Sequence, residues 1–88
     1  MALSFASFDP KATVGGPDTL DSAYIVSNEN GDVLGYVASS TLVSQSPSVP
    51  DRVYRIKRWA HAVHMDEFKS GLQFQDTSRA WAAYRLAR

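Results

Sequence analysis

Two runs rich in β-formers flank a single turn signal, and both faces of the hairpin they define are apolar. Ala23-Tyr24-Ile25-Val26-Ser27 leads into Asn28-Glu29-Asn30-Gly31-Asp32 and then Val33-Leu34-Gly35-Tyr36-Val37-Ala38. Asn30-Gly31 supplies the two positive-φ positions of a two-residue turn. A three-residue loop with Gly31 in the left-handed region is the other option, and it shifts the register. With the two-residue turn, Tyr24, Val26, Val33 and Val37 share one face, and Ile25, Leu34 and Tyr36 the other. A sheet apolar on both sides must be covered on both sides. One helix covers one face, and the N-terminal arm or a second subunit must cover the other.

The rest of the chain has to supply those layers from 88 residues. That length suits one domain, residues 1–88. Residues 1–22 are punctuated by Pro10, Gly15, Gly16 and Pro17 and hold no period, so they read as an irregular arm. Leu3, Phe5 and Phe8 are too apolar for a free tail and place that arm against the domain or a partner. Ser39–Pro50 reads as a polar crossing loop that continues the second strand through Leu42-Val43.

Arg52–His64 admits two readings. Helical spacing lines up Val53, Ile56, Ala60 and Val63. Strand alternation points Tyr54, Ile56, Ala60 and Ala62 inward and Val53, Arg55, Lys57, Trp59 and His61 outward. The strand is preferred. Near the C-terminus, Asp76 or Thr77 can cap a helix over Ser78–Ala87, and its four alanines favour that conformation. Ala80, Trp81, Tyr84 and Ala87 fall on one broad face, which reads as core. Arg79 and Arg85 read as solvated. The fold expected is α+β: an antiparallel meander of three to four strands with a C-terminal helix packed on it. A β-hairpin followed by helices over 50–70 and 77–87 is the alternative.

Val33-Leu34-Gly35-Tyr36-Val37 followed by Met65-Asp66-Glu67-Phe68-Lys69-Ser70-Gly71-Leu72-Gln73-Phe74 and an Ala-bearing helix resembles small phage- and plasmid-borne α+β proteins. In that pattern a hairpin ends in a Leu-Gly-Tyr type strand. An acidic helical turn, a short strand ending in Phe and a helix with Ala at its start follow. The resemblance covers about residues 23–88. It departs from the pattern where Gly71 stands for an Ala three residues before Phe74, and where His64 stands for a Trp. It implies packing roles: Phe74 plugs the core and Ala80 lets the helix lie close. It also implies a mobile-element context and a partner protein of the host or the element. Some proteins of this kind inhibit bacterial defence systems, as anti-CRISPR proteins do.

Charge and composition narrow the chemistry. The chain has no cysteine, so it has no disulfide framework, thiolate nucleophile or Cys-type zinc site, and it suits a reducing cytoplasmic compartment. The N-terminus lacks a basic region before its apolar residues and does not read as a signal peptide. No apolar run reaches the roughly 18 residues of a membrane span. His61, His64, Asp66 and Glu67 cluster in sequence, but without His-Glu-x-x-His spacing they read as no metal site. No nucleophile elbow or Gly-rich phosphate loop is present, so a catalytic site and a cofactor are not expected.

Net charge is zero overall, yet residues 1–50 carry one lysine against five carboxylates, or −4, and residues 51–88 carry +4. A net-neutral domain has little bulk attraction for nucleic acid. The positive charge gathers at Arg52, Arg55, Lys57 and Arg58, beside Trp59 and His61, and these six residues are the candidate partner-binding strip. Arg and Trp dominate interface energetics. The strip therefore suits a protein-binding module first, and a small nucleic-acid-binding or regulatory protein second. A structural subunit of a phage particle, its N-terminal arm reaching a neighbour, is a third reading.

Overall fold

A computed structural model describes residues 2–9, 20–45, 48, 53–69 and 73–88. Four antiparallel strands pair in sequence order: β1 (Ser4–Ser7), β2 (Leu20–Ser27), β3 (Val33–Gln45) and β4 (Val53–Ala62). A 3-10 helix over Met65–Lys69 and an α-helix, α1 (Arg79–Ala87), follow. This is the α+β meander with a C-terminal helix. The stretch from Val53 is a strand, and no helix spans 50–70.

The arm is not wholly irregular. Phe5 pairs with Val26 and Ala6 with Ile25, which makes residues 4–7 an edge strand. Four residues show too short a pattern to announce a strand, and the pairing is set by the exposed edge of β2. Residues 10–19 lie outside the described residues.

The β2–β3 turn combines the two options open to the sequence. Asn28 N donates to Asp32 O (3.0 Å) and Gly31 N to Asn28 O (3.1 Å), with Gly31 at φ +85°, so Glu29-Asn30-Gly31 form a three-residue loop. Asn28 Oδ1 also accepts from the amides of Asn30 and Asp32, both at 2.9 Å. The register shift this loop imposes does not spread. Ser27 lies opposite Val33 but Val26 lies opposite Gly35, leaving Leu34 as a bulge residue. Beyond it, Tyr24 faces Val37 and Ile25 faces Tyr36, the pairing a two-residue turn would give. The bulge also corrects the faces: Leu34 joins the cluster of Val26 and Val37, and Val33 is exposed.

Both faces of the sheet are covered around this hairpin. On one, Val26, Val37 and Trp59 pack with Ala82 and Ala83 of α1, with Leu3, Phe5, Tyr24, Leu34 and Leu86 around them. On the other, Leu20, Ala23, Ala38 and Ala62 pack with Phe8, Tyr36, Met65 and Phe74. Phe74, expected to plug the core, is half-buried at its side, and Ala80, expected to let the helix lie close, is exposed, that place being taken by Ala82 and Ala83. The second layer comes from this chain's own Phe8, Met65 and Phe74, with no second subunit needed at those residues.

Helix α1 packs with the opposite face from the one its large residues suggest. Ala82 and Ala83 are fully buried, whereas Trp81 and Tyr84 stay 49% and 51% exposed. Leu86 fills the space over Gly35, where an added Cβ would lie 2.7 Å from its Cδ2, and Ala82 and Ala83 pack beside it against Val26, Val37 and Trp59. The N-cap is Ser78, whose Oγ accepts from Trp81 N at 3.1 Å, and not Asp76 or Thr77. Asp76 is held in extended backbone by a two-bond bridge to Trp59 and cannot cap.

Candidate interaction surface

The six residues of the basic strip divide three ways. Trp59 is only 8% exposed and lies under α1 with its ring against Tyr24, 6.1 Å between centroids. The expectation of an outward Trp59 is therefore corrected: alternation sets its face, but α1 lands on that face. Its cover is the C-terminal helix. His61 is half-buried, with Nδ1 3.2 Å from Asp76 Oδ2. It is part of the seam between β4 and α1. Arg52 lies outside the described residues.

Arg55, Lys57 and Arg58 form the third group. The first half of β4, Val53–Lys57, is exposed along its whole length. Among the described residues, β2 pairs with β3 only as far as Ser40, so Thr41–Gln45 pairs with β4 alone. Among the described residues, Thr41–Gln45 and Val53–Lys57 thus form a two-stranded ribbon. Arg55 and Lys57 point to its α1 side, with Lys57 Nζ 5.5 Å from the Trp59 ring centroid. Tyr54 and Ile56, expected inward, are exposed on the other side, because the layer of Phe8, Met65 and Phe74 ends before reaching them. No ion pair among the described residues engages Arg55, Lys57 or Arg58.

A second surface lies on the outer face of α1. The rings of Trp81 and Tyr84 stack with centroids 5.3 Å apart and planes 6° from parallel. The Arg85 guanidinium sits 5.9 Å from the Trp81 centroid. Beside them runs a shallow groove of about 390 Å³ lined by Leu3, Ala80, Tyr84, Ala87 and Arg88. Sequence periodicity assigned this aromatic pair to the core. The signal that could have exposed them is the Ala82-Ala83 pair between them, since small residues mark the side on which a helix lies close to a sheet.

Two cations expected to be solvated are engaged. The Arg79 guanidinium lies 4.2 Å from the Phe5 centroid and 4.8 Å from that of Tyr24, clamping the start of α1 onto β1 and β2. Arg85 Nε donates to Asp76 Oδ1 at 2.6 Å. Among the described residues, no group of three or more His, Asp and Glu side chains gathers as a metal site would require. No described helix is long and apolar enough to cross a membrane.

No protein-family model, curated protein or solved structure matches this chain. Its function must be read from the side chains themselves.

Proposed function

We propose that the chain is a non-enzymatic protein-binding module of a phage or other mobile element, acting on a host or element-encoded protein as an inhibitor, anti-CRISPR activity included. The observation that carries the binding reading is the stacked Trp81–Tyr84 pair on the outer face of α1. Both rings stay about half-exposed, while Ala82, Ala83 and Leu86 make the helix's contact with the sheet. Trp and Tyr are the residue types enriched at the energetic centres of protein interfaces. They are already stacked, so little side-chain entropy remains to be lost on binding. The mobile-element setting is supported by the resemblance of residues 23–88.

The test is capture from a bacterial lysate by the wild-type chain and by the Trp81→Ala/Tyr84→Ala variant. The reading expects a stoichiometric partner on the wild type that is lost from the folded variant. A partner held equally by both forms, or none on either, overturns it.

A second reading is nucleic-acid binding, favoured by one observation. Arg55, Lys57 and Arg58 stand within four residues on a ribbon whose described strands carry no carboxylate. It expects an affinity for single strands that falls steeply with salt and drops with Arg55→Ala and Lys57→Ala. No shift on a gel at low salt removes it.

A further inference from the structure

The open edge of β4 says what kind of segment it would take, given the protein-binding reading above. Trp59 N donates to Asp76 O at 2.8 Å and Asp76 N to Trp59 O at 2.9 Å. The backbone groups of Trp59 therefore point away from β3. The register between β3 and β4 runs unbroken from Tyr36↔Ala62 to Val53↔Gln45. Because a strand repeats every two residues, the N–H and C=O of Val53, Arg55 and Lys57 point the same way. Asp76 occupies this edge at Trp59, and among the described residues nothing pairs with it from Lys57 to Val53. Three residues whose outward donors and acceptors meet no partner among the described residues thus extend a line that the chain itself has begun.

We propose that this edge takes an extended segment of a partner protein as an added strand, and that the segment alternates acidic with apolar residues. The side chains beside the edge set that pattern. Arg55 and Lys57 stand on one face, Tyr54 and Ile56 on the other, all exposed. Directly opposed side chains on paired strands interact most strongly, and like charges there repel. Positions facing Arg55 and Lys57 are therefore acidic, and those facing Tyr54 and Ile56 are β-branched or aromatic. The mode is β-strand addition: backbone bonds supply affinity and alternate side chains supply selectivity. A second copy of this chain is disfavoured, because antiparallel pairing of two β4 edges over Val53–Lys57 sets Arg55 against the same cation of the other copy. Cations on an edge strand are a known guard against such self-pairing. Nucleic acid is the weaker occupant, since it has no use for the unpaired amides or for Tyr54 and Ile56 on the opposite face.

The test titrates the 15N-labelled chain with a capped Glu-Val-Glu-Val-Glu peptide and follows amide shifts and hydrogen exchange. Shifts and new protection confined to Val53, Arg55 and Lys57 and their neighbours are expected. A Lys-Val-Lys-Val-Lys peptide is expected to leave them unmoved. The Arg55→Glu/Lys57→Glu variant is expected to lose about tenfold in affinity for the first peptide and to gain the second, the scale of two opposed charge pairs reversed. Absence of shifts at millimolar peptide, or shifts elsewhere, overturns the proposal. So does a dT oligonucleotide that moves these amides at lower concentration than the peptide. So does concentration-dependent protection of β4 without any ligand, which would assign the edge to a second copy. A failed peptide titration beside a lysate partner lost with Trp81 and Tyr84 refutes the added strand alone and leaves the binding module standing.

Discussion

Asp76 Oδ1 accepts a hydrogen bond from Arg85 Nε at 2.6 Å, tying the strand edge to the last turn of α1. The carboxylate is 4% exposed and the guanidinium 43%. Its other oxygen faces His61 Nδ1, and its backbone pairs with Trp59. One buried residue thus joins β4, the segment before the helix and the helix itself. Asp76→Ala should cost about 2–3 kcal/mol, the scale of hydrogen bonds to a charged group. Arg85→Ala should cost about 1 kcal/mol, because removing it leaves Asp76 the His61 contact and takes away a half-solvated partner. Urea titrations of both single variants and the double variant check the ordering. Equal costs would show that the bridge to Trp59, and not the side chain, does the tethering.

Gly35 sits where no side chain fits, between the Ala62 carbonyl of β4 and the Leu86 side chain of α1. A Cβ there would meet the Ala62 carbonyl oxygen at 2.5 Å and Leu86 Cδ2 at 2.7 Å. Gly35→Ala should destabilise by about 2–3 kcal/mol through overpacking. Adding Leu86→Ala should not restore stability, since the Ala62 contact is with backbone that cannot swing away. Thermal melts of the single and double variants decide this, and recovery in the double would put the strain on Leu86 alone.

The two tryptophans should behave oppositely. Trp59→Ala empties a buried site and should cost about 3–5 kcal/mol. Trp81→Ala removes a half-exposed ring from a surface stack and should cost under about 1 kcal/mol. Comparable losses of melting temperature would mean that α1 packs with its aromatic face inward.

At the hairpin, Gly31 has open space around its Cα but sits at φ +85°. Gly31→Ala should therefore cost about 1 kcal/mol from backbone strain alone. Asn28→Ala, which removes the acceptor of two loop amides, should cost a similar amount. Neither should disturb the Tyr24–Val37 pairing, because the bulge at Leu34 separates loop from ladder. Amide shifts near Val37 would report any slip.

The α+β meander was legible because its signals are local. β-branched and aromatic runs, an Asn-Gly turn and an alanine-rich C-terminus each specify an element within ten residues or so. The exposure of Arg55 and Lys57 on one face of β4 was legible for the same reason, whereas Arg58 is half-buried on the other face. Trp59 and His61 were placed on the correct face of β4 but not at the correct depth. Alternation tells which way a side chain points, not what lands on it.

By itself the sequence determined the strands of the hairpin, the strand at Val53–Ala62, the existence of the terminal helix and the need for cover on both faces of the sheet. Period-two patterning and helix propensity act over a few residues and need no other part of the chain. Only the tertiary structure decided which face of α1 is buried, that Asp76 bridges instead of capping, and where the covering layers stop along β4. Those depend on how closely two distant backbones can approach. Ala82, Ala83 and Leu86 meet the sheet, which leaves Trp81 and Tyr84 half-exposed on the outer face of α1.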